Sequence, residues 1–443
     1  MNSGADAKPV DRPDVLIVGG GMAGLYTARE ILRRQPATQL LLIEKYPVLG
    51  GRVLSFRKQV GSQAVGWEAG AGRLHYSQKR VHALLKDYDM TVVPLSGSVD
   101  FLSATSGPSR RQADRFASLA SAILPLLESL PAAELQMQTL ADVCRRIMGN
   151  KGATEFLQQF PYHTEVHRLR ADMALETFRS VMGHDDGFCT IRGGFAQLPM
   201  ALAADVRRGG GTIWLGAALS RWSSADGLKA TVSLGRADGT TRTVPIYPKR
   251  MILALHAGAL HAFPQTRSWA PLKHLGVARL LRIYAVFPQQ NLCDSTTGPW
   301  FAGMSKIVTP GPLRYIIPIN EEAGTIMISY TDGDDTAPFW DAAQASDGSA
   351  AALARLQKLI MTHVRRLFGP SVPNPLYLKA HPWTVGSTYW KPGRYNVDAV
   401  IKESRQLEPS VYVIGESFSK EQAWIEGALE SAEGFLDHYY KRN

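Results

Sequence analysis

The sequence predicts an α/β protein in which a parallel-sheet domain, built from separated stretches of chain, is interleaved with a mixed-sheet domain and a helical insert. Three observations predict it. Near the start, DVLIVG runs straight into a glycine-rich turn and an amphipathic segment. Near the end, VYVIGE is followed by a second such segment, WIEGALESAEGFL. Between them lie a long stretch of helical periodicity and a set of β-branched, aromatic-rich runs, which together call for more than one layer architecture.

The first element is the run Val15–Val18, short and wholly apolar, as a strand covered on both faces must be. Gly19, Gly21 and Gly24 follow as G-x-G-x-x-G around Met22 and Ala23, and Leu25, Ala28, Ile31 and Leu32 recur at helical spacing. The first glycine permits a tight turn, the second admits a pyrophosphate close to backbone at a helix N-terminus, and the third lets helix and strand pack closely. QLLLIEK supplies the next strand, with Glu44 at its end twenty residues after Gly24 and Lys45 beside it. That is the place of an acid that binds a ribose hydroxyl pair. Rossmann-like fingerprints of this kind bind NAD or FAD. In YPVLGGRVLSF a second glycine pair, Gly50 and Gly51, allows another close backbone approach, and Arg52 can meet a phosphate.

The pattern GGGMAG…IEK…GGR resembles the flavoproteins with a glycine doublet: amine oxidases, L-amino acid oxidases, protoporphyrinogen oxidase and carotenoid desaturases. The resemblance implies FAD. It extends through GWEAGAGRLHY, where Glu68, Gly70, Ala71, Arg73 and Leu74 are similar to the E-x-G-A-x-R segment of L-amino acid oxidases and tryptophan monooxygenases. His75 stands where proline is usual. The resemblance implies that this backbone, Gly72 included, and Arg73 lie against the flavin, where a cation stabilises negative charge on the reduced ring.

Residues 108 to 182 carry apolar residues at three-four spacing and read as helices roofing the substrate side. IRGGFAQLPMALAADVRRGGG returns to nucleotide-domain texture, and in TIWLGAALSRW the resemblance aligns Leu219 with the strand that holds adenine. LLRIYAVF, LRYIIPI and TIMISYT read as strands of a second domain. The expected domains are therefore 13–90, 190–260 and 381–439 for FAD, 261–380 for the substrate sheet and 91–189 for the helical insert.

The end of the chain is similar to the family's F-A-G-E … G-Y-M-E-G-A-V-E-S-G: Gly415, Glu416, Glu426, Gly427, Ala428, Glu430 and Ser431 match, with Trp424 and Ile425 at the helix start. An acid at that strand end can hold a ribityl hydroxyl, and helix-start N–H groups can face the flavin carbonyl. The chain is thus identified as a member of the flavin-containing amine oxidase family, most similar to its L-amino acid oxidase branch and its small viral and bacterial members. This implies hydride transfer from the C–H beside nitrogen to flavin N5, imine hydrolysis, and reoxidation by dioxygen with release of hydrogen peroxide. The implied partners are a small amine or amino acid and dioxygen.

Three departures sharpen the expectation. In VGSTYWKPG, Val385 falls where monoamine oxidases attach FAD through cysteine, so FAD is expected to be non-covalent. Gly386 falls where one wall of their aromatic cage stands, leaving Trp424 as the other, with Trp383 nearby for substrate. The usual N5 lysine is replaced: RIYAVF puts Arg282 there, with Lys273 and Arg279 as rivals. Arg282 can stabilise reduced flavin or bind a substrate carboxylate. The missing lysine keeps two alternatives open: a dehydrogenase or desaturase using another acceptor, or an FAD-binding protein with a decayed centre. Tyr162, His163, Trp300, Phe301 and Trp340 are further pocket candidates.

Bulk properties bound the rest. Formal net charge is +10, but the basic residues are scattered without interleaved aromatics, which argues against nucleic acid. No apolar run is long enough to span a bilayer, and the polar start is unlike a signal peptide. A soluble, cytoplasmic protein is expected. Cys144, Cys189 and Cys293 are widely spaced, suiting a reducing compartment and no disulfide. His163 and His167 are too few for a metal site. A homodimer is compatible with all of this.

Overall fold

A computed structural model describes residues 11–95, 99–102, 113–177, 187–235, 239–291 and 297–441. Cys293 and the expected helical stretches at 108–112 and 178–182 lie outside these residues.

The first sheet has six strands. Val15–Val18 sits centrally, with Leu40–Glu44 and then Thr212–Leu215 on one side, and Arg250–Ala254, Val411–Ile414 and Gln406–Glu408 on the other. All pairings are parallel except the last, at the edge. Every residue of Val15–Val18, Leu40–Glu44 and Val411–Ile414 is buried, which is why these runs are uninterrupted by polar positions until Glu44. Strands from residues 15 to 414 thus meet in one sheet, with the two ends of the chain separated by a single strand. The dinucleotide helix Met22–Arg34 packs against the C-terminal helix Ile425–Tyr439 and the helix Gln197–Arg208.

The second six-stranded sheet orders Tyr377–Trp390, Leu275–Val286, Thr325–Asp332, Tyr315–Asn320, Lys306–Val308 and Val99–Phe101. It is antiparallel except where Lys306–Val308 runs parallel to Val99–Phe101. The stretch 381–390, expected with the FAD domain, forms the second half of a 14-residue strand hydrogen-bonded along Leu275–Val286. The strand's alternation is broken by the bulge near Ala278 and Leu280, so periodicity alone hides its length. Ala350–Phe368 covers the far face of this sheet, with Trp340, Phe301 and Ile360 in the intervening core.

Helices between Ala113 and Thr177 form the insert. Thr139 and Asp142 make a reciprocal capping box at the start of Leu140–Leu157. Polar contacts lock the insert to the second sheet. Asp332 accepts the amides of His163 and Thr164, both at 2.8 Å. The guanidinium of Arg314 donates to the carbonyls of Gln158, Leu157 and Phe160, and Arg168 pairs with Asp334 at 2.6 Å.

Candidate active site

At the first turn the chemistry of glycine is visible directly. A Cβ on Gly24 would lie 2.0 Å from the Gly19 carbonyl oxygen, and one on Gly19, at φ +113°, would lie 2.4 Å from that of Ala254. Above Gly21 there is open space: a Cβ there would meet nothing within 4 Å. Gly21 caps the helix without a side-chain partner for the first-turn amides, leaving them to an anion. Glu44, buried, accepts from the Gly20 amide at 2.7 Å and the Tyr46 amide at 2.8 Å. The second glycine pair docks on the first: the Gly50 amide donates to the Gly20 carbonyl at 2.8 Å, and both Gly50 and Gly51 have positive φ. Lys45 lies over the Tyr46 ring at 5.5 Å. Leu219 is buried on Ala217–Ser223, a strand in contact with Leu40–Glu44. These residues fit a dinucleotide: glycines stand where a methyl would collide, and an uncapped helix start faces free space.

Arg52 carries the cradle onward to the other end of the chain. It donates to Glu416 at 2.6 Å and to the Gly386 carbonyl at 3.1 Å. Glu416 also accepts from Thr388 at 2.6 Å and from the Ala423 amide at 3.0 Å. Burial pushes the Glu416 carboxyl up, but Arg52 and these donors outweigh it and hold it below the usual carboxylate range. His256, at the start of Ala257–Leu260, is driven down to about 4 by burial and the Arg52 charge. The Glu68–Leu74 segment crosses beneath Arg52: the Ala71 amide bonds its carbonyl at 2.9 Å, and a Cβ on Gly70 would lie 1.9 Å from that oxygen.

Arg282 approaches the same segment from the second sheet. It donates to the carbonyls of Glu68 and Gly70, comes within 3.5 Å of a Cβ placed on Gly72, and stacks on Tyr330 at 5.0 Å. Its rivals point elsewhere: Arg279 is exposed and lies over Trp340, and Lys273 is exposed. Arg73 sits between the rings of Phe188 (4.4 Å), Tyr162 (5.3 Å) and Trp424 (5.6 Å). Among the described residues, neither Arg73 nor Arg282 has a carboxylate within salt-bridge distance. Aromatic faces support both cations instead, with carbonyl dipoles added at Arg282, leaving their charge to act on a bound group.

Trp424 stacks on Phe188 with centroids 6.3 Å apart and planes 19° from parallel. Ala423, just before it, holds φ at +67°, a left-handed bend that a non-glycine residue adopts at a cost and that turns the chain into the helix. Gly386 abuts Leu280, whose Cβ would be 2.2 Å from a Cβ at position 386. Trp383 donates from Nε1 to the Ala69 carbonyl at 2.8 Å, which ties it to the segment carrying Arg73.

Sequence reasoning missed Phe188, which pairs with His75 on a short antiparallel ladder, because it falls at the end of the helical stretch. It also missed the ring stack of Tyr284, Trp67 and Phe56, spaced 4.8 and 4.7 Å, in which Trp67 donates to His381 Nε2 at 2.9 Å. The alternation of Trp67 with Val65 on a strand was the available signal. Of the pocket candidates, Tyr162 reaches the interior, whereas Trp300, Phe301 and Trp340 pack behind the second sheet. His163 packs on His167 with ring centroids 4.6 Å apart. Among the described residues, no cluster of His, Cys, Asp and Glu suits a metal ion, and no helix is long and apolar enough to cross a membrane. Cys144 and Cys189 are free and buried.

A cradle of this form fits a dinucleotide, and cationic and aromatic side chains gather at its far end: fold and site define a dinucleotide-binding class of protein. Comparison with known proteins narrows the class. The profile of the family described as flavin containing amine oxidoreductase matches residues 22–434, and the chain belongs to that family. Aplysianin-A from Aplysia kurodai is 26% identical over 332 residues, 63% of this chain and 57% of that protein, so the match spans little more than half of the relative's length. A mutant of putrescine oxidase redesigned in its cofactor binding superposes with a TM-score of 0.72 at 15% identity, covering 98% of this chain and 100% of the other. Cyclohexylamine oxidase from Brevibacterium oxydans IH-35A gives 0.68 at 16%, covering 96% and 99%. At such identities the superpositions speak for the fold.

Proposed function

We propose that the protein is an FAD-dependent oxidase of an amine or amino acid, with non-covalent FAD and dioxygen as acceptor. The observation that supports the reading most is the gathering of two cations and an aromatic ring at the Glu68–Leu74 segment, with Arg282 beside Gly72 and Arg73 over the Trp424 ring. When bound, FAD supplies a two-electron acceptor for the C–H beside nitrogen. The protein's own residues do the rest. The first-turn amides after Gly21 and the Glu44 carboxylate hold the dinucleotide, with Lys45, Gly51, Arg52 and Leu219 along it. Gly70 to Leu74, Gly415, Glu416 and Ile425 bound the flavin site. Arg282 presents a permanent cation from a fixed position, stabilising negative charge that develops there. Arg73 offers the same to a substrate carboxylate. Trp424, Phe188 and Tyr162 exclude water and orient the amine. Val385 packs toward Gly258, a Cβ on which would lie 2.7 Å from its Cγ2, and it offers no thiol for a flavin link.

The test is peroxide release by the holoenzyme across a panel of primary amines and amino acids. Peroxide with any of them supports the reading. One observation favours a second reading: the N5 lysine position holds Arg282, bonded to two backbone carbonyls. Anaerobic bleaching by a substrate, with reoxidation by an artificial acceptor and no peroxide in air, would replace the oxidase with a dehydrogenase. No bleaching by any amine would reject both.

A further inference from the structure

Two neighbouring strands of the second sheet turn four polar side chains to one side. Along Leu275–Val286, Arg282 and Tyr284 alternate with Leu281 and Ile283, which enter the far core. On Tyr377–Trp390, His381 stands opposite Arg282, and Trp383 follows two residues on. All four side chains bond one short run of chain, residues 67–70. His381 Nε2 accepts from Trp67 Nε1 at 2.9 Å. Tyr284 donates its hydroxyl to the Glu68 carbonyl at 2.7 Å and stacks on Trp67 at 4.8 Å. Trp383 donates Nε1 to the Ala69 carbonyl at 2.8 Å, and Arg282 donates to the carbonyls of Glu68 and Gly70. The amides of Ala69 and Gly70 go to the Leu54 carbonyl, and that of Ala71 goes to Arg52. The next two amides, of Gly72 and Arg73, meet no acceptor among the described residues. The run thus has its acceptors drawn onto the second sheet and enters the half-buried stretch 71–73 with donors unfilled.

We propose that Tyr284 and Trp383 are positioning residues for the flavin. With Arg282 they hold the carbonyls of residues 68–70 on the second sheet, and so keep those dipoles from turning toward a reduced, negatively charged ring. The proposal rests on the reading above that residues 70–74 bound the flavin site. Backbone donors aimed at developing negative charge stabilise it, and a carbonyl oxygen in their place opposes it. A carbonyl released from its donor is free to turn, so loosening this clamp makes the flavin harder to reduce. The bonds are not equivalent. The Glu68 carbonyl keeps Arg282 when Tyr284 loses its hydroxyl. The Ala69 carbonyl has Trp383 alone among the described residues, so Trp383 carries the larger share.

The test is the anaerobic reduction equilibrium of the holoenzyme's flavin against a reference dye, with no amine present. Trp383→Phe should lower the ratio of reduced to oxidised flavin at a fixed dye ratio by about three- to tenfold, as one lost hydrogen bond allows. Tyr284→Phe keeps the ring against Trp67 and should lower it by about two- to threefold. Ser329→Ala is the control. It removes a buried bond of the same sheet, to the Leu313 carbonyl at 3.0 Å, on the side of the far core. It should lower the urea midpoint and leave the flavin ratio unchanged. An unshifted ratio in Trp383→Phe overturns the proposal whatever its urea midpoint, because a bond that serves folding alone does not move the flavin equilibrium. A shift in Ser329→Ala as large as that of Trp383→Phe overturns it too, and an unshifted Tyr284→Phe removes Tyr284 from it. Tyr284 is the more buried of the two; should Tyr284→Phe not fold, Trp383→Phe decides alone. No substrate enters this measurement, so an amine panel without peroxide or bleaching would reject amine oxidation and leave the clamp to the dye.

Discussion

Arg52→Met should destabilise the protein through a residue far from it in sequence, Glu416. The two meet at 2.6 Å, and Glu416 is 6% exposed. Removing one partner of a buried ion pair costs about 3–5 kcal/mol, because the other charge is left uncompensated. Thr388 and the Ala423 amide still donate to Glu416, so the lower end, about 3 kcal/mol, is expected. The pH dependence gives a second signature. In the wild type, burial raises the Glu416 pKa but Arg52 and the donors depress it further, for a net lowering. Its contribution is thus present above the unfolded value and lost as pH falls through the folded one. Without Arg52, burial is opposed only by Thr388 and the Ala423 amide, and the folded pKa rises from its lowered position. The ionised form of Glu416 is then held less favourably, so the stabilisation it contributes above the unfolded value shrinks. The gap between variant and wild type should therefore widen from about pH 4 to about pH 7. Urea unfolding in saturating FAD, followed by tryptophan fluorescence, measures it, and Arg52→Met with Glu416→Gln should recover part of the loss. A gap under about 1 kcal/mol at neutral pH, or one that does not change with pH, would refute the reasoning.

Three further outcomes are expected. Acid precipitation of the holoprotein should leave all the flavin in the supernatant, since Val385 offers no thiol; flavin retained on the pellet would contradict this. Gly386→Ala should lower stability by about 1–3 kcal/mol, because the new Cβ would sit 2.2 Å from that of Leu280, and a urea titration with an unshifted midpoint would show that the strands part freely. His167, His256 and His381 are each pushed down to about 4, chiefly by burial. Since the unfolded state takes up more protons, their contribution is full above about pH 6.5 and falls away as pH drops toward about 4, by on the order of 3 kcal/mol each at most. Replacing His381 with Gln should flatten that slope, and an unchanged slope would locate the acid sensitivity elsewhere.

The cradle was legible because its physics is local. Strand, turn glycines, helix and terminal acid lie within thirty residues of one another, and each is required by backbone geometry that few residue types satisfy. Arg282 was legible only through resemblance, and its partners, the carbonyls of Glu68 and Gly70, lie more than 200 positions away. The pairing of the 381–390 stretch could not be read from its own residues, because membership in a sheet depends on what lies alongside. There the neighbour is Leu275–Val286 with a bulge that shifts its register. Gly386 shows the same limit: alignment marks it as a missing wall, whereas its immediate cause is the close approach of Leu280. Phe188 left no periodic signal, because its ladder beside His75 is only two residues long.

The pattern of cost also bears on whether the centre is decayed. Ionised groups taken from water cost stability unless each is well partnered. Arg73 and Arg282 are half-buried, Arg73 among three rings and Arg282 against one ring and two carbonyls, and burial raises the pKa of Glu165. None of the three is held by a close ion pair among the described residues. Ala423 adds backbone strain beside Trp424. Apolar residues of similar volume would give a more stable interior. If the interior served only as a scaffold, substitution at these positions would therefore raise stability at no loss. Arg73→Leu, Arg282→Met and Glu165→Leu, measured for urea midpoint and for ligand-induced change in the flavin band, separate the cases. A binding site predicts gains in midpoint accompanied by loss of the band response. A scaffold predicts no ligand response to lose, and a fall in midpoint for all three would show that these charges are structural.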